Sequence, residues 1–214
     1  MALSDKVNNY CERIGPEFWS EPVNAVTNAA FILAALAAFV LWRRRAPDDW
    51  AALFLIAVVL LTGIGSFLFH TYATKWASLA DVIPIAIFIH VYLLFALRRF
   101  LGLHWVVSIC IVIGFFVLSP MVGEVWAPVI GSSAAYLPAL LAIFVVGGMS
   151  YQRDKGLGEQ VLAIGVLFTV SLTFRMLDEP LCAQWALGTH FLWHILNSLV
   201  LYALLRVLIL HRGG

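Results

Sequence analysis

Residues 189–210 read THFLWHILNSLVLYALLRVLIL, an apolar run that opens with two histidines four residues apart. Its length decides the fold class, because about 20 apolar residues in a helix cross the hydrocarbon core of a bilayer. Six further stretches of similar character precede it, roughly Asn24 to Trp42, Trp50 to His70, Leu79 to Leu97, Leu103 to Val122, Ser132 to Tyr151 and Glu159 to Leu177. With 63% hydrophobic and 12% charged side chains, the chain lies outside the range of soluble globular domains. The expectation is an all-α integral membrane protein, a seven-transmembrane helix bundle. It forms a single domain over residues 1–214, with a polar extracytoplasmic segment at 1–23 and the bundle at 24–210.

The connections between the runs are short, no internal repeat is visible, and there is no room for a second domain. The first 23 residues lack the apolar core and small-residue cleavage site of a removable signal peptide, so the first hydrophobic helix is expected to start insertion itself. Positive charge then sets the orientation. Seven crossings place Arg43, Arg44, Arg45, Arg98, Arg99, Arg153, Lys155, Arg206 and Arg212 on one side, against Lys6, Arg13, Lys75 and Arg175 on the other. The richer side is cytoplasmic and holds the C-terminus; the N-terminus is outside. A net charge of +1 gives no basic excess for nucleic acid, and no obligatory protein partner is evident.

The same topology gathers chemistry at one face. Ser66-x3-His70 ends the second run, Asp81 opens the third and His190-x3-His194 opens the seventh. In a helix, residues four apart share a face, so His190 and His194 can grip one ion and His70 can supply a third imidazole. Three histidines leave zinc one position for water, whose pKa falls to about 7. Asp81, a charge at the head of an apolar helix, has to be paired or functional; general base and then acid is its expected role. Ser66 can hydrogen-bond a carbonyl oxygen as charge develops on it, and Asn197, one turn beyond His194, is a candidate supporting partner. His90 reads as a packing residue, His104 and His211 as interfacial anchors and Cys110 as a packing residue within its helix.

Taken together, Tyr10-Cys11-Glu12, Glu21-x2-Asn24-x2-Thr27-Asn28, Gly65-Ser66-x3-His70, Asp81, Phe174-x3-Asp178 and His190-x2-Trp193-His194 resemble the alkaline ceramidase family, within the wider group of seven-helix membrane hydrolases that includes the adiponectin receptors. The resemblance implies a zinc-dependent amidase in which attack by zinc-bound water cleaves the N-acyl bond of ceramide to a sphingoid base and a fatty acid. His70, His190 and His194 would hold zinc, Asp81 would handle protons and Ser66 would assist at the oxyanion. The partner is then a ceramide-like membrane lipid.

The resemblance carries three further expectations. The segment from Asp5 to Glu21 is rich in oxygen ligands suited to a hard cation, and eukaryotic members have a calcium site there on an Asp-Trp-x-Glu-x-Asn pattern followed by a further Glu. This chain departs from it: Asn9-Tyr10 stands for Asp-Trp, Ile14 stands where the second Asn would be, and the spacing to Glu21 is shorter. Calcium through Asn9, Glu12 and Glu21 is one reading, and a solvated charged tail capping the first helix is the other. Cysteines at both Cys11 and Cys182 are frequent in the family, which implies a disulfide tying the N-terminal segment over the site. The family's acid at Asp178 lies near the site without binding metal, and Asp178, Glu179 and Arg175 read as a structural ionic cluster.

Two other functions stay open at this level: hydrolysis of another N-acyl lipid or an ester, and a seven-helix receptor or transporter with a structural zinc. The short loops favour a bacterial inner membrane, with the endoplasmic reticulum or Golgi as the eukaryotic equivalent.

Overall fold

A computed structural model describes residues 2–212, and these are helical apart from connections and one isolated bridge between Lys6 and Thr74. The helices are α1 (Pro22–Thr27), α2 (Ala29–Arg45), α3 (Trp50–Tyr72), α4 (Lys75–Arg99), α5 (Trp105–Ile130), a 3-10 turn (Gly131–Tyr136), α6 (Leu137–Tyr151), α7 (Lys155–Leu181) and α8 (His190–Leu210). Six segments are long and apolar enough to cross a membrane: Pro22–Arg45, which joins α1 and α2, then α3, α4, the run Trp105–Tyr151, α7 and α8. The fourth and fifth stretches expected from the sequence both fall in Trp105–Tyr151. The chain folds back inside that run: a Cβ built on Gly123 would lie 3.7 Å from the Cα of Ala135. At 15 residues, α6 alone extends about 22 Å at 1.5 Å per residue.

The surface is inverted relative to a soluble protein. Leu33, Leu61, Val106, Ile113, Phe116 and Val125 point outward, as suits helices solvated by lipid. Small residues take the interior of the helix contacts. The buried residues of α2 are Phe31, Ala34, Ala35, Ala38 and Trp42, and the helix packs on α3 and α8. In a bilayer no hydrophobic drive joins helices, so close approach of this kind supplies the packing energy. Burial is greatest along α8, where His190, His194, Leu205, Leu208 and Ile209 are almost fully enclosed. By contrast α5 is peripheral, with Ser108 its one buried residue. Cys110 on it is a free, exposed thiol rather than the packing residue expected.

Polar contacts tie the helix ends together. At one end Arg99 binds both oxygens of Asp49 at 2.6 and 2.8 Å, Arg212 binds Asp48 at 2.8 Å, and Arg153 donates to the carbonyl of Leu101. Asp49 also caps α3 by accepting from the N–H of Ala52 at 3.1 Å. At the other end of α3 the N-terminal segment is stitched to the α3–α4 turn. Val7 N–H donates to Ala73 O at 2.8 Å, Lys75 N–H donates to Asp5 O at 3.1 Å, and the Lys6 ammonium donates to Tyr72 O at 2.8 Å. A disulfide joins Cys11 to Cys182 with their Cα atoms 5.2 Å apart. Nearby, Arg175 of α7 reaches Ser132 and Ser133 of the 3-10 turn at 2.8 and 2.9 Å.

Candidate metal centre and active site

The site forms where α3, α4 and α8 meet below the N-terminal segment. Helix α3 must pass very close to α4 there, and Gly65 permits it. A Cβ at that position would stand 2.0 Å from the carbonyl oxygen of Ala80 and 3.0 Å from the N–H nitrogen of Asp81. That carbonyl is free of its helical donor because Pro84, four residues on, has no N–H. The crossing brings Ser66 and Asp81 to one small polar pocket, shared with Tyr10, Tyr136, Arg175, His190, His194 and Asn197.

His70, His190 and His194 converge beside it. Each offers a ring nitrogen within 4.8 Å of the others, and the ring centroids are 5.2 Å (His70 to His190), 4.7 Å (His70 to His194) and 4.5 Å (His190 to His194) apart. They are 1%, 2% and 1% exposed. Among the described residues this is the one group of three or more histidine, cysteine or acidic side chains placed to hold a metal ion.

The surroundings set the ring nitrogens. His70 Nδ1 lies 2.6 Å from a carboxylate oxygen of Glu21 and so carries the proton, leaving Nε2 as a buried lone pair with no protein partner. His194 Nδ1 is 3.0 Å from Thr27 Oγ1. Thr27 has one hydroxyl proton, and it is directed to the carbonyls of Val23 and Asn24 at 2.8 and 3.1 Å. Toward His194 the hydroxyl therefore accepts, which again frees Nε2. His190 Nδ1 is buried without a partner. Imidazoles fixed by an acceptor behind them, with the opposite lone pair bare, are what a metal site requires. The donor set, three neutral nitrogens, fits zinc.

The N-terminal segment roofs the centre. Tyr10 stacks on His190 with ring centroids 3.7 Å apart. Burial pushes its phenol up, against the opposing pull of Arg175, so it stays protonated. Glu21 sits under this roof. Burial works against its ionisation, but the bonds from His70 and Arg13 more than offset that and hold its carboxyl below the usual range.

A second, apolar pocket lies beside the first and shares Ile85, Tyr136 and Asn197 with it. Its remaining wall includes Phe88, Tyr92, Leu93, Phe115, Phe168 and Leu201. A polar pocket beside an apolar one suits a substrate with a polar reacting group and a long hydrocarbon tail. A ceramidase family model matches residues 7–213, nearly the whole of the chain. The chain belongs to the ceramidase family. A search of curated proteins finds no match. Membership implies a hydrolase of ceramide, hence a lipid substrate, and the apolar helices agree with a multi-pass membrane protein.

Ceramidase membership can be set against each residue singled out in the sequence. Ser66, Asp81, His70, His190 and His194 are brought together, and one oxygen of Asp81 is buried without a partner. Asn197 lines both cavities, but the Nδ1 of His194 bonds Thr27 and not Asn197. Asp178 accepts from the N–H groups of Thr189 at 2.7 Å, His190 at 2.9 Å and Cys11 at 3.2 Å, a structural task as expected. Arg175 differs from the expected ionic cluster: among the described residues it makes no ion pair with Asp178 or Glu179, and it lies over the rings of Tyr136 and Trp193 at the cavity. His90 packs between Phe115 and Phe116 with its Nδ1 bonded to Ala86 O.

The calcium set does not fit a cation in this arrangement. Asn9 is exposed, both oxygens of Glu12 accept backbone N–H groups at the start of α1 (Val23 at 2.7 Å, Asn24 at 2.8 Å), and Glu21 is held by Arg13 and His70. Sequence reasoning quoted Glu21 and Thr27 within a motif but missed the role of each behind a histidine, Glu21 toward His70 and Thr27 toward His194. The signal was present: Glu21, Asn24 and Thr27 recur every three residues at the head of an apolar helix, where polar groups need partners.

Proposed function

We propose that the protein is an intramembrane zinc-dependent hydrolase that cleaves the N-acyl amide bond of ceramide, adding water to give a fatty acid and a sphingoid base. The observation that carries this is the buried trio His70, His190 and His194 beside Ser66 and Asp81 in a member of the ceramidase family. Zinc held by the three imidazoles would supply an activated water and a Lewis acid for the amide carbonyl. Asp81 takes a proton from the attacking water and passes it to the amide nitrogen as the C–N bond breaks. Ser66 keeps its proton and donates a hydrogen bond to the carbonyl oxygen as negative charge grows there. The apolar cavity receives the acyl chain, and Tyr10 and Arg175 face the head group.

The proposal places the whole chain, 1–214, in one membrane domain with seven crossings, α5 and α6 counting as separate passes, the N-terminus outside and the C-terminus in the cytoplasm. An activity reporter at the C-terminus that works only outside the cytoplasm would overturn that orientation. A bacterial inner membrane suits the short loops.

The deciding experiment incubates detergent-purified protein with N-acyl sphingoid lipids and measures fatty acid release, with Asp81→Ala alongside. Equal turnover by the two proteins refutes the mechanism. Unchanged zinc content in His190→Ala refutes the metal site. The apolar lining of the larger cavity favours one further reading, hydrolysis of other N-acyl lipids, and turnover of those without turnover of ceramide would select it.

A further inference from the structure

Arg13 is 6% exposed, and its guanidinium is surrounded by oxygens. It pairs with Glu21 through Nε, donates from Nη1 to the carbonyls of Gly15 at 3.0 Å and Glu17 at 3.5 Å, and donates from Nη2 to the carbonyl of His70 at 2.8 Å. One carboxylate and three carbonyls in a fixed cage are the ligand chemistry of a hard cation. Here a side chain supplies the positive charge and directs several N–H donors at the cage. Two of the four partners touch the metal centre, since Glu21 accepts from His70 Nδ1 and the carbonyl belongs to His70 itself.

We propose that Arg13 is the built-in cation of the N-terminal segment: it takes the place of a divalent ion there and acts as a positioning residue for His70. Neutralising Glu21 from one side leaves its other oxygen to fix the His70 tautomer. Holding the His70 carbonyl pins the last turn of α3, so the imidazole is restrained at both backbone and ring. Glu12 is free to cap α1, and no calcium is needed to close the roof. The role toward His70 rests on the metal-centre reading above; independence from calcium does not.

The test uses the full chain in detergent, as wild type, Arg13→Gln and Arg13→Lys. Radioactive calcium binding and melting temperature are measured with calcium up to about 1 mM, the weak end of extracellular calcium modules, and cobalt(II) is titrated as a visible-absorbing probe of the three-histidine site. Wild type is expected to bind no calcium and to melt at the same temperature with calcium or chelator. Arg13→Gln is expected to melt lower and to bind cobalt about tenfold more weakly, the smaller effect typical of residues behind a metal ligand, and Arg13→Lys to recover part of both. One calcium bound per wild-type chain with a raised melting temperature overturns the proposal, as does an Arg13→Gln protein that melts and binds cobalt like wild type. Absence of cobalt binding by wild type counts instead against the metal centre, and the calcium and melting results then decide the proposal alone.

Discussion

Gly65→Ala isolates the geometry on which the proposed catalysis depends. The added methyl would start 2.0 Å from the Ala80 carbonyl oxygen, and real Cβ contacts under 3.0 Å essentially do not occur, so the helices must separate by at least 3.0 − 2.0 = 1.0 Å. Helix α3 is the poorer candidate to yield, because His70 is held by Glu21 at its ring and by Arg13 at its carbonyl. Helix α4 gives way instead and carries Asp81 with it. A displacement of about 1 Å in a group that must sit within hydrogen-bond reach of the reacting atoms costs roughly 100-fold in rate, or about 2.7 kcal/mol of transition-state stabilisation. Overpacking adds a stability loss of about 1–3 kcal/mol, so turnover is measured per zinc-loaded molecule, with kcat and KM separated and zinc content determined on the same sample. The expected result is zinc retained, kcat down about 100-fold and KM little changed. Gly114→Ala is the control, because a Cβ there meets nothing within 4 Å. A zinc-loaded Gly65→Ala with kcat near that of Gly114→Ala refutes the reasoning.

Glu21→Ala and Thr27→Val each remove the acceptor behind a histidine; zinc affinity measured by competition with a chelator should fall about 10- to 100-fold for the first and toward the lower figure for the second. Replacing both Cys11 and Cys182 by serine opens a bridge across 171 residues of sequence and should lower stability by about 2–4 kcal/mol, seen as a lower melting temperature that reducing agent reproduces in the wild type. Burial works against the Asp49 carboxylate, but the bonds from Arg99 and from the N–H of Ala52 outweigh it and lower its pKa. Its stabilisation is therefore present above the unfolded pKa of about 3.9 and is lost as pH falls through the lower folded value. Asp49→Asn should melt below wild type at neutral pH with a gap that narrows under acid, and a gap unchanged by acid contradicts the assignment.

The membrane class and the histidine trio were legible because both follow from local rules. Apolar length identifies a span, and spacing of four puts His190 and His194 on one face. The sequence divides the region into two stretches, Leu103 to Val122 and Ser132 to Tyr151, whereas in the fold α5 and the short α6 follow one another through a 3-10 turn in a single apolar run, Trp105–Tyr151. Ser66 and Asp81 could be placed on the same face by counting crossings, but their common cavity depends on Gly65 meeting Ala80, a backbone approach that leaves no periodic trace. The acids of the N-terminal segment offered a cation site through their oxygen content and the family's calcium pattern, with a solvated tail capping the first helix as the other reading. Neither reading anticipates Arg13, because a buried guanidinium among carbonyls and a solvated one look identical in sequence. Arg175 escaped for a different reason: spacings of three and four to Asp178 and Glu179 suit an ion pair along a helix, yet both oxygens of Asp178 are taken by N–H groups of Thr189, His190 and Cys11, and Arg175 turns to Ser132, Ser133 and the rings of Tyr136 and Trp193.

Helix α8 begins at the candidate metal centre, and that placement raises an electrostatic difficulty. A helix N-terminus carries unpaired N–H groups and a partial positive charge of roughly one half, unfavourable beside a divalent cation. Asp178 resolves it. Its Oδ1 accepts from the N–H groups of Thr189 and His190, and its Oδ2 accepts from that of Cys11. The carboxylate thus offsets the helix charge while both its oxygens are occupied, which explains how an acid can stand so near three metal-ready histidines without joining them. The loop must come close for this to work, and Gly188, at φ +67, allows it: a Cβ there would lie 2.1 Å from Oδ1 of Asp178 and 2.8 Å from Cβ of Cys11. The adjacent disulfide joins two of these segments covalently, the N-terminal one at Cys11 and the end of α7 at Cys182. Position and charge at His190 are therefore set by one acid, and the roof residue Tyr10, next to Cys11 and stacked on His190, is aligned by the same contacts.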